Sequence, residues 1–181
     1  VLSKLNLETE LFRYGVEAQE FAYFNRHGQV IITEPCGKFA GYDYPHFSIH
    51  RGDLHKVLYD AVIDRMGPNS IYFNHSCSGF TQNDRTVKAL FENTESHTGS
   101  VVIAADGFHS NIRQSLYPHE NEPHFGGINM WRGVTIQKPF LTGASVTRIG
   151  TVDAGKMTIY PIRNFADGTQ MINWVTEQPR S

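Results

Sequence analysis

The sequence predicts a mixed α/β fold, α+β in its segregation, in which a first part of helices and strands gives way to an antiparallel sheet. Three observations carry that expectation. Leu54, Val57, Leu58, Ala61, Val62 and Met66 recur at helical spacing. The apolar run Val101-Val102-Ile103 leads into Ala104-Ala105-Asp106-Gly107, a strand that ends in a tight turn, with a short helix expected after it. From about residue 125 onward the pattern is strands only, separated by Gly- and Asp-containing turns.

Taken in order, residues 19–33 read as a hairpin: Phe21, Tyr23, Val30, Ile31 and Ile32 supply strand-type side chains and Asn25-Arg26-His27-Gly28 the turn. Residues 34–47 are a loop rich in Pro, Gly and Tyr. The segment Ser48-Ile49-His50-Arg51-Gly52-Asp53-Leu54 then delivers the helix noted above, with Asp53 placed to cap its start, Gly67-Pro68 to end it, and its apolar face expected on a sheet. Strands are expected over 70–80, 86–92 and 101–105, with turns at Gln82-Asn83-Asp84-Arg85 and from Asn93 to Ser100. The short helix after Asp106-Gly107 should break at Pro118, and the later strands should lie over 128–136, 145–152, 156–162 and 169–176. There is no internal repeat and no low-complexity segment.

A chain of 181 residues with 40% hydrophobic content can bury one core and part of a second layer. Its net charge of −2, from 16 basic and 18 acidic residues spread along the sequence, offers no basic stripe for nucleic acid. Apolar runs fall far short of a membrane span and the N-terminal residues lack a signal-type apolar stretch, so the expectation is a soluble, cytoplasmic protein. Cys36 and Cys77 lie far apart and outside any C-x-x-C, as free thiols would. The first Met is Met66 and Val1 reads as the middle of an element, so an internal segment of a longer protein is expected.

The Asp-Gly turn has physical content. Gly107 permits close backbone approach, a helix start offers N–H groups, and Arg113 can add positive charge near an anion, with Ser110 at the helix start. Upstream, Arg51 places a permanent cation at the start of the predicted helix. The nine His residues raise the question of a metal. His46, His50 and His55 would converge only on one continuous helix, which Gly52-Asp53 interrupts, and no metal site is expected. No Ser-His-Asp or Cys-His arrangement follows from spacing.

The string Ala104 to Arg113 resembles the Asp-Gly fingerprint of the flavin-dependent aromatic hydroxylases, single-component monooxygenases. Arg51 and Leu54 match the family's R-x-x-L pattern, and the two motifs come in the family's order and separation. Similarity through GKFAGYDYPHFSIHRGDL and FGGINMWRGV points toward phenazine-modifying and salicylate-hydroxylase-like monooxygenases and extends from Phe21 to Trp174. The resemblance implies FAD as cofactor, NADPH or NADH as co-substrate, dioxygen as oxidant and a small aromatic or heteroaromatic substrate. It places Arg51, Leu54, Cys77, Asp106, Gly107, Ser110 and Arg113 at the cofactor, Cys77 through backbone contact with the adenine. It places Trp131, Arg132, Tyr160 and Pro161 on the substrate layer. It also implies a division: residues 1–124 as part of a Rossmann-like FAD-binding domain carrying the inserted hairpin 19–33, and residues 125–181 as part of an antiparallel substrate sheet.

Two family pieces do not occur. No G-x-G-x-x-G is present, and no Gly-Asp-Ala-type segment follows residue 134. An epoxidase or another flavin oxidoreductase of the same fold, and a truncated non-catalytic chain, therefore stand beside the hydroxylase reading. The substrate ring, the choice of nicotinamide and the oligomeric state stay open, and no residue is singled out as a catalytic acid or base.

Overall fold

The computed structural model describes residues 2–120 and 123–180. Internal contacts divide it into two units: residues up to 65 together with those from 125 on, and residues 66–124. The chain thus does not divide at residue 124 alone. The first 65 residues pack with the C-terminal strands, because the hairpin expected over 19–33 adds to their sheet.

In the first unit, helix α1 (Glu8–Tyr14) leads into β1 (Val16–Ala18), which pairs antiparallel with β4 (His46–Ser48). The main sheet has six strands in the order β3-β2-β9-β10-β11-β8. Strands β2 (Glu20–Phe24) and β3 (Val30–Pro35) form the hairpin, its turn held by the Asn25 side chain, which accepts the N–H groups of His27 and Gln29 at 2.9 and 3.0 Å. Strands β8 (Ile128–Gln137), β9 (Ser145–Thr151), β10 (Gly155–Asn164) and β11 (Gln170–Pro179) are antiparallel neighbours within this order, and only β2–β9 is parallel. The parallel seam begins with Ser145, fully buried, whose hydroxyl donates to Glu20 at 2.6 Å. Ile172 of β11 is 1% exposed, and Ala18, Cys36 and Val146 form a core cluster against which Phe21 and Tyr160 pack. Burial, with the Glu20 and Glu17 carboxylates nearby, pushes the Cys36 thiol above its ordinary pKa.

Helix α2 (Arg51–Met66) starts two residues before the expected cap. The His50 carbonyl accepts the N–H groups of Asp53 and Leu54, and the His50 ring accepts Gly52 N–H at 3.2 Å. Asp53 therefore sits inside the first turn, where its carboxylate suits the helix dipole and pairs with Arg163 of β10 at 3.3 Å. Of the apolar face only Val57 is fully buried, so the expected packing of this helix is met in part.

In the second unit, β5 (Cys77–Gln82), β6 (Val87–Phe91) and β7 (Ser96–Gly99) form an antiparallel meander, and α3 (Asn111–Leu116) packs on β5. Three expectations change here. The strand expected over 70–80 begins only at Cys77, after a short 3-10 turn at Pro68–Ser70. The stretch 93–100, expected as a turn, contains β7. Residues 101–105 form no strand, and Val101 and Ile103 are 73% and 84% exposed. An apolar run becomes a strand only beside a partner ladder, and no described strand pairs with this one.

Candidate functional site

The Asp-Gly turn forms as expected around Gly107, whose φ of +81° is the left-handed region that favours glycine. Space over it is open: nothing stands within 4 Å of where a side chain would begin. Ser110 is the N-cap of α3, and its Oγ accepts Arg113 N–H at 2.9 Å while its hydroxyl donates to Asp106 at 2.6 Å. The other Asp106 oxygen accepts Ile112 N–H at 3.4 Å. The Ser110 hydroxyl, aided by backbone N–H groups at the helix start, holds the Asp106 carboxyl below its ordinary pKa against the opposing effect of desolvation.

This geometry corrects part of the electrostatic expectation. The N–H groups of Ile112 and Arg113 at the start of α3 are not open to an anion, because Asp106 and Ser110 take them. Nor does the Arg113 guanidinium stand free. It pairs with Glu120 at 2.8 Å, donates to the Phe108 carbonyl at 2.7 Å and lies 6.0 Å from the centroid of the Phe108 ring. The turn closes on itself, leaving an ionised carboxylate and an open glycine at its surface. Asn111, which the sequence did not single out, donates its side-chain N–H to the Cys77 carbonyl at 2.7 Å and so ties α3 to β5. Cys77 contributes backbone there, while its thiol lies 3.5 Å from the Gly79 carbonyl. Glu120 escaped notice too, because its partner lies across the Pro118 turn and no local spacing announces the pair.

In the first unit, Arg51 is the exposed first residue of α2 and takes part in no ion pair among the described residues. Leu54, half-buried, borders a cavity of about 400 Å³ together with Leu11, Phe47 and Ile49. Of the histidines weighed as metal ligands, His46 lies on β4, His50 precedes α2 and His55 is on the helix, and they form no common cluster.

The residues assigned to the substrate layer fall on two faces of the sheet, because alternate residues of a strand point to opposite sides. Trp131 stands opposite Thr176, while Pro161 stands opposite Ile172, which in turn faces Thr135. Trp131 and Pro161 therefore share one face. Arg132 stands opposite Val175, itself opposite Thr158, which puts Arg132 on the other face with Tyr160. Tyr160 packs against the core cluster beside Phe21, and Phe21 also borders a cavity of about 500 Å³ with Tyr42, Tyr44 and His46.

One further group of ionisable side chains was not singled out by sequence. His75, Glu95 and His97 in the second unit bring their ligand-type atoms within 4.8 Å of one another. The Phe73 carbonyl, followed by Glu95, holds the His75 imidazole above its ordinary pKa.

The model of a family described as FAD binding domain matches residues 9–180. Among curated proteins, phenazine 1,6-dicarboxylic acid hydroxylase PhzS of Lysobacter antibioticus is 31% identical over 187 residues, covering 98% of this chain and 46% of that protein. 3-Amino-4-hydroxybenzoate 2-monooxygenase PtmB3 of Streptomyces platensis is 28% identical over 133 residues, covering 72% of this chain and 32% of that protein. The chain thus spans less than half the length of these relatives. Among solved structures, Klebsiella pneumoniae HpxO complexed with FAD and uric acid matches with a TM-score of 0.76 at 18% identity, over 99% of this chain and 45% of that one. PqsL of P. aeruginosa in complex with 2-aminobenzoylacetate matches with a TM-score of 0.77 at 16% identity, over 98% and 47%. These two likenesses establish the shared fold.

Proposed function

Because the chain belongs to the FAD binding domain family, we propose that it forms part of an FAD-dependent monooxygenase that hydroxylates a small aromatic or heteroaromatic ring with NAD(P)H and dioxygen. The observation that carries this reading is the Asp106 arrangement: an ionised carboxylate fixed by Ser110 beside an open, left-handed Gly107. A carboxylate so placed repels phosphate and accepts hydroxyl groups, which suits the ribityl or ribose portions of FAD. The residues present fit the cofactor on those terms. Asp106 would accept a hydroxyl, Gly107 would let the chain approach, Ser110 would fix the carboxylate, and Arg51 would face negative charge.

Arg113 acts in this reading as a positioning residue, clamping Phe108 and Glu120 so that the turn keeps its shape. Leu54 would contribute apolar contact and Cys77 its backbone. Bound FAD would supply the redox chemistry, taking reducing equivalents from NAD(P)H and delivering them to dioxygen. The chain's own part is binding, orientation and exclusion of water.

We assign residues 1–124 to the cofactor side and 125–181 to the substrate side, with β2 and β3 extending the substrate sheet. Of its two faces, the one carrying Arg132 and Tyr160 suits an aromatic acid, since a guanidinium can take a carboxylate and the phenol ring a flat apolar surface. Trp131 and Pro161 would then support the layer from its opposite face. The phenazine and aminohydroxybenzoate named for the relatives define the substrate class to try first. No described helix is long and apolar enough to cross a membrane.

The test is oxygen incorporation by the protein that carries this chain. With FAD, NAD(P)H and a panel of phenazine and aminobenzoate acids, the expected result is substrate-stimulated NAD(P)H oxidation and a product labelled from ¹⁸O₂. Oxygen uptake ending only in hydrogen peroxide with every ring, or an epoxide as product, would overturn the hydroxylase reading.

A further inference from the structure

His75, Glu95 and His97 are far apart in sequence and meet because the meander folds back on itself. His75 lies in the irregular segment before β5, while Glu95 immediately precedes β7 and His97 is its second residue, two positions apart where the chain enters the strand. The backbone around them is fastened from both directions. The Asn93 side chain accepts Glu95 N–H at 3.1 Å and donates to the Asn74 carbonyl at 3.3 Å, and Glu92 N–H donates to the Ser76 carbonyl at 3.0 Å. Thr94, with φ of +69°, makes the tight turn that sets Glu95 facing His75.

Aromatic side chains lie beside both rings. Tyr72 lies 5.6 Å from the His75 ring and 5.0 Å from that of His97, and Phe91 lies 5.2 and 5.8 Å from the same two rings, centroid to centroid. Tyr72 and Phe91 thus each contact both imidazoles. His75 Nδ1 is 2.6 Å from the Phe73 carbonyl, and its Nε2 is 3.1 Å from a Glu95 oxygen. A carbonyl on Nδ1 is the outer contact that fixes the tautomer of a metal-ligating histidine and turns Nε2 toward the ion. No hydrogen bond among the described residues occupies the ring nitrogens of His97.

We propose that His75, Glu95 and His97 form a divalent transition-metal site, with Zn²⁺ as the ion it suits best. Two imidazole nitrogens and one carboxylate oxygen are a donor set for zinc and its neighbours rather than for Mg²⁺ or Ca²⁺, which take oxygen ligands. Ligand atoms around a tetrahedral zinc stand about 3.3 Å apart for metal–ligand bonds near 2.0–2.1 Å. The His75–Glu95 distance of 3.1 Å already meets this, and the 4.8 Å limit on the group leaves a short contraction to the remaining ligand. Three protein ligands leave a coordination position for water. The site pins the segment 72–76 to the β6–β7 turn, and it stands independently of the monooxygenase reading.

Titration of the metal-free protein with Zn²⁺ alone, followed by calorimetry and by the histidine ring resonances, tests this. The expected result is one high-affinity equivalent per chain, with shifts confined to His75 and His97 and no change in the His27→Gln control. The double variant His75→Gln/His97→Gln should lose more than the roughly 10–100-fold that removal of an outer partner costs a metal site. Glu95→Gln, an exposed turn residue whose loss leaves the hairpin ladder intact, should weaken binding in the same direction and decides the matter if the double variant fails to fold. Unchanged affinity in Glu95→Gln, retention of the tight equivalent in a folded double variant, or shifts at other histidines would overturn the assignment.

Discussion

At Asp106 one carboxylate organises a turn, a helix start and a surface charge together. Because its pKa in the folded chain lies below the ordinary value, its contribution is fully present above the ordinary carboxylate pKa and is lost as pH falls through the lowered one. Protection of the Ile112 and Arg113 amides, taken relative to their intrinsic exchange rates, should therefore hold from neutral to mildly acidic pH and fall below it. Asp106→Asn should flatten that acid limb; an unchanged limb would mean that another group governs it. Ser110→Ala removes the N-cap and should cost the second unit about 1 kcal/mol, read from its denaturant midpoint. For Arg113 the deciding comparison is with its partner. Arg113→Ala should weaken flavin retention by loosening the Phe108 carbonyl, and Glu120→Gln should not strengthen it; a gain in FAD affinity on freeing the guanidinium would mark Arg113 as a direct contact instead. Sequence named Asp106, Gly107, Ser110 and Arg113, since local spacing encodes a turn and a cap. It could not name Glu120, Asn111 or the His75 cluster, whose partners are brought together by tertiary structure.

Among the elements, the four late strands were legible to within three residues at each end, because each alternates or runs apolar between Gly- or Asp-bearing turns that stop it. The Asp167 side chain, for example, accepts both the N–H and the hydroxyl of Thr169 at 2.9 and 2.6 Å and so closes the β10–β11 hairpin. Failure came where a strand depends on its neighbour. Val101-Val102-Ile103 carries as strong a β signal as any segment, yet without a ladder its amides have no strand partners, and they should exchange far faster than those of β11; comparable protection would show that a partner forms in solution. Alternation already separates Trp131 from Arg132, but which of them shares a face with Tyr160 or Pro161 depends on the cross-strand register, which the sequence does not carry. Strand β8 gives a sharper test of packing. A side chain on Gly133 would overlap the Trp174 indole, which lies across the neighbouring strand, so Gly133→Ala should destabilise the sheet by about 1–3 kcal/mol and move the Trp fluorescence. A melt and an emission spectrum identical to the parent's would place the indole elsewhere.

For the whole molecule, the chain enters its main sheet with β2 and β3, leaves it for a separate unit, and returns to it with β8 to β11. The sheet cannot close until residues 125 positions apart, such as Glu20 and Ser145, have met, and that loop closure slows its folding relative to the meander of β5 to β7, whose contacts are local. The two units also hold different reserves. Ile172 is among the most buried side chains of the sheet, whereas the second unit has few buried apolar residues, among them Val87 and Ile112. Ile172→Ala should cost about 2–5 kcal/mol and raise amide exchange throughout β9, β10 and β11 while leaving β5 to β7 unchanged. Ile112→Ala should do the reverse, releasing α3 and β5 with the sheet intact. Exchange rising across both units in either variant would show that they unfold as one cooperative body, and the Asp106 turn would then owe its stability to the sheet as well as to its own cap.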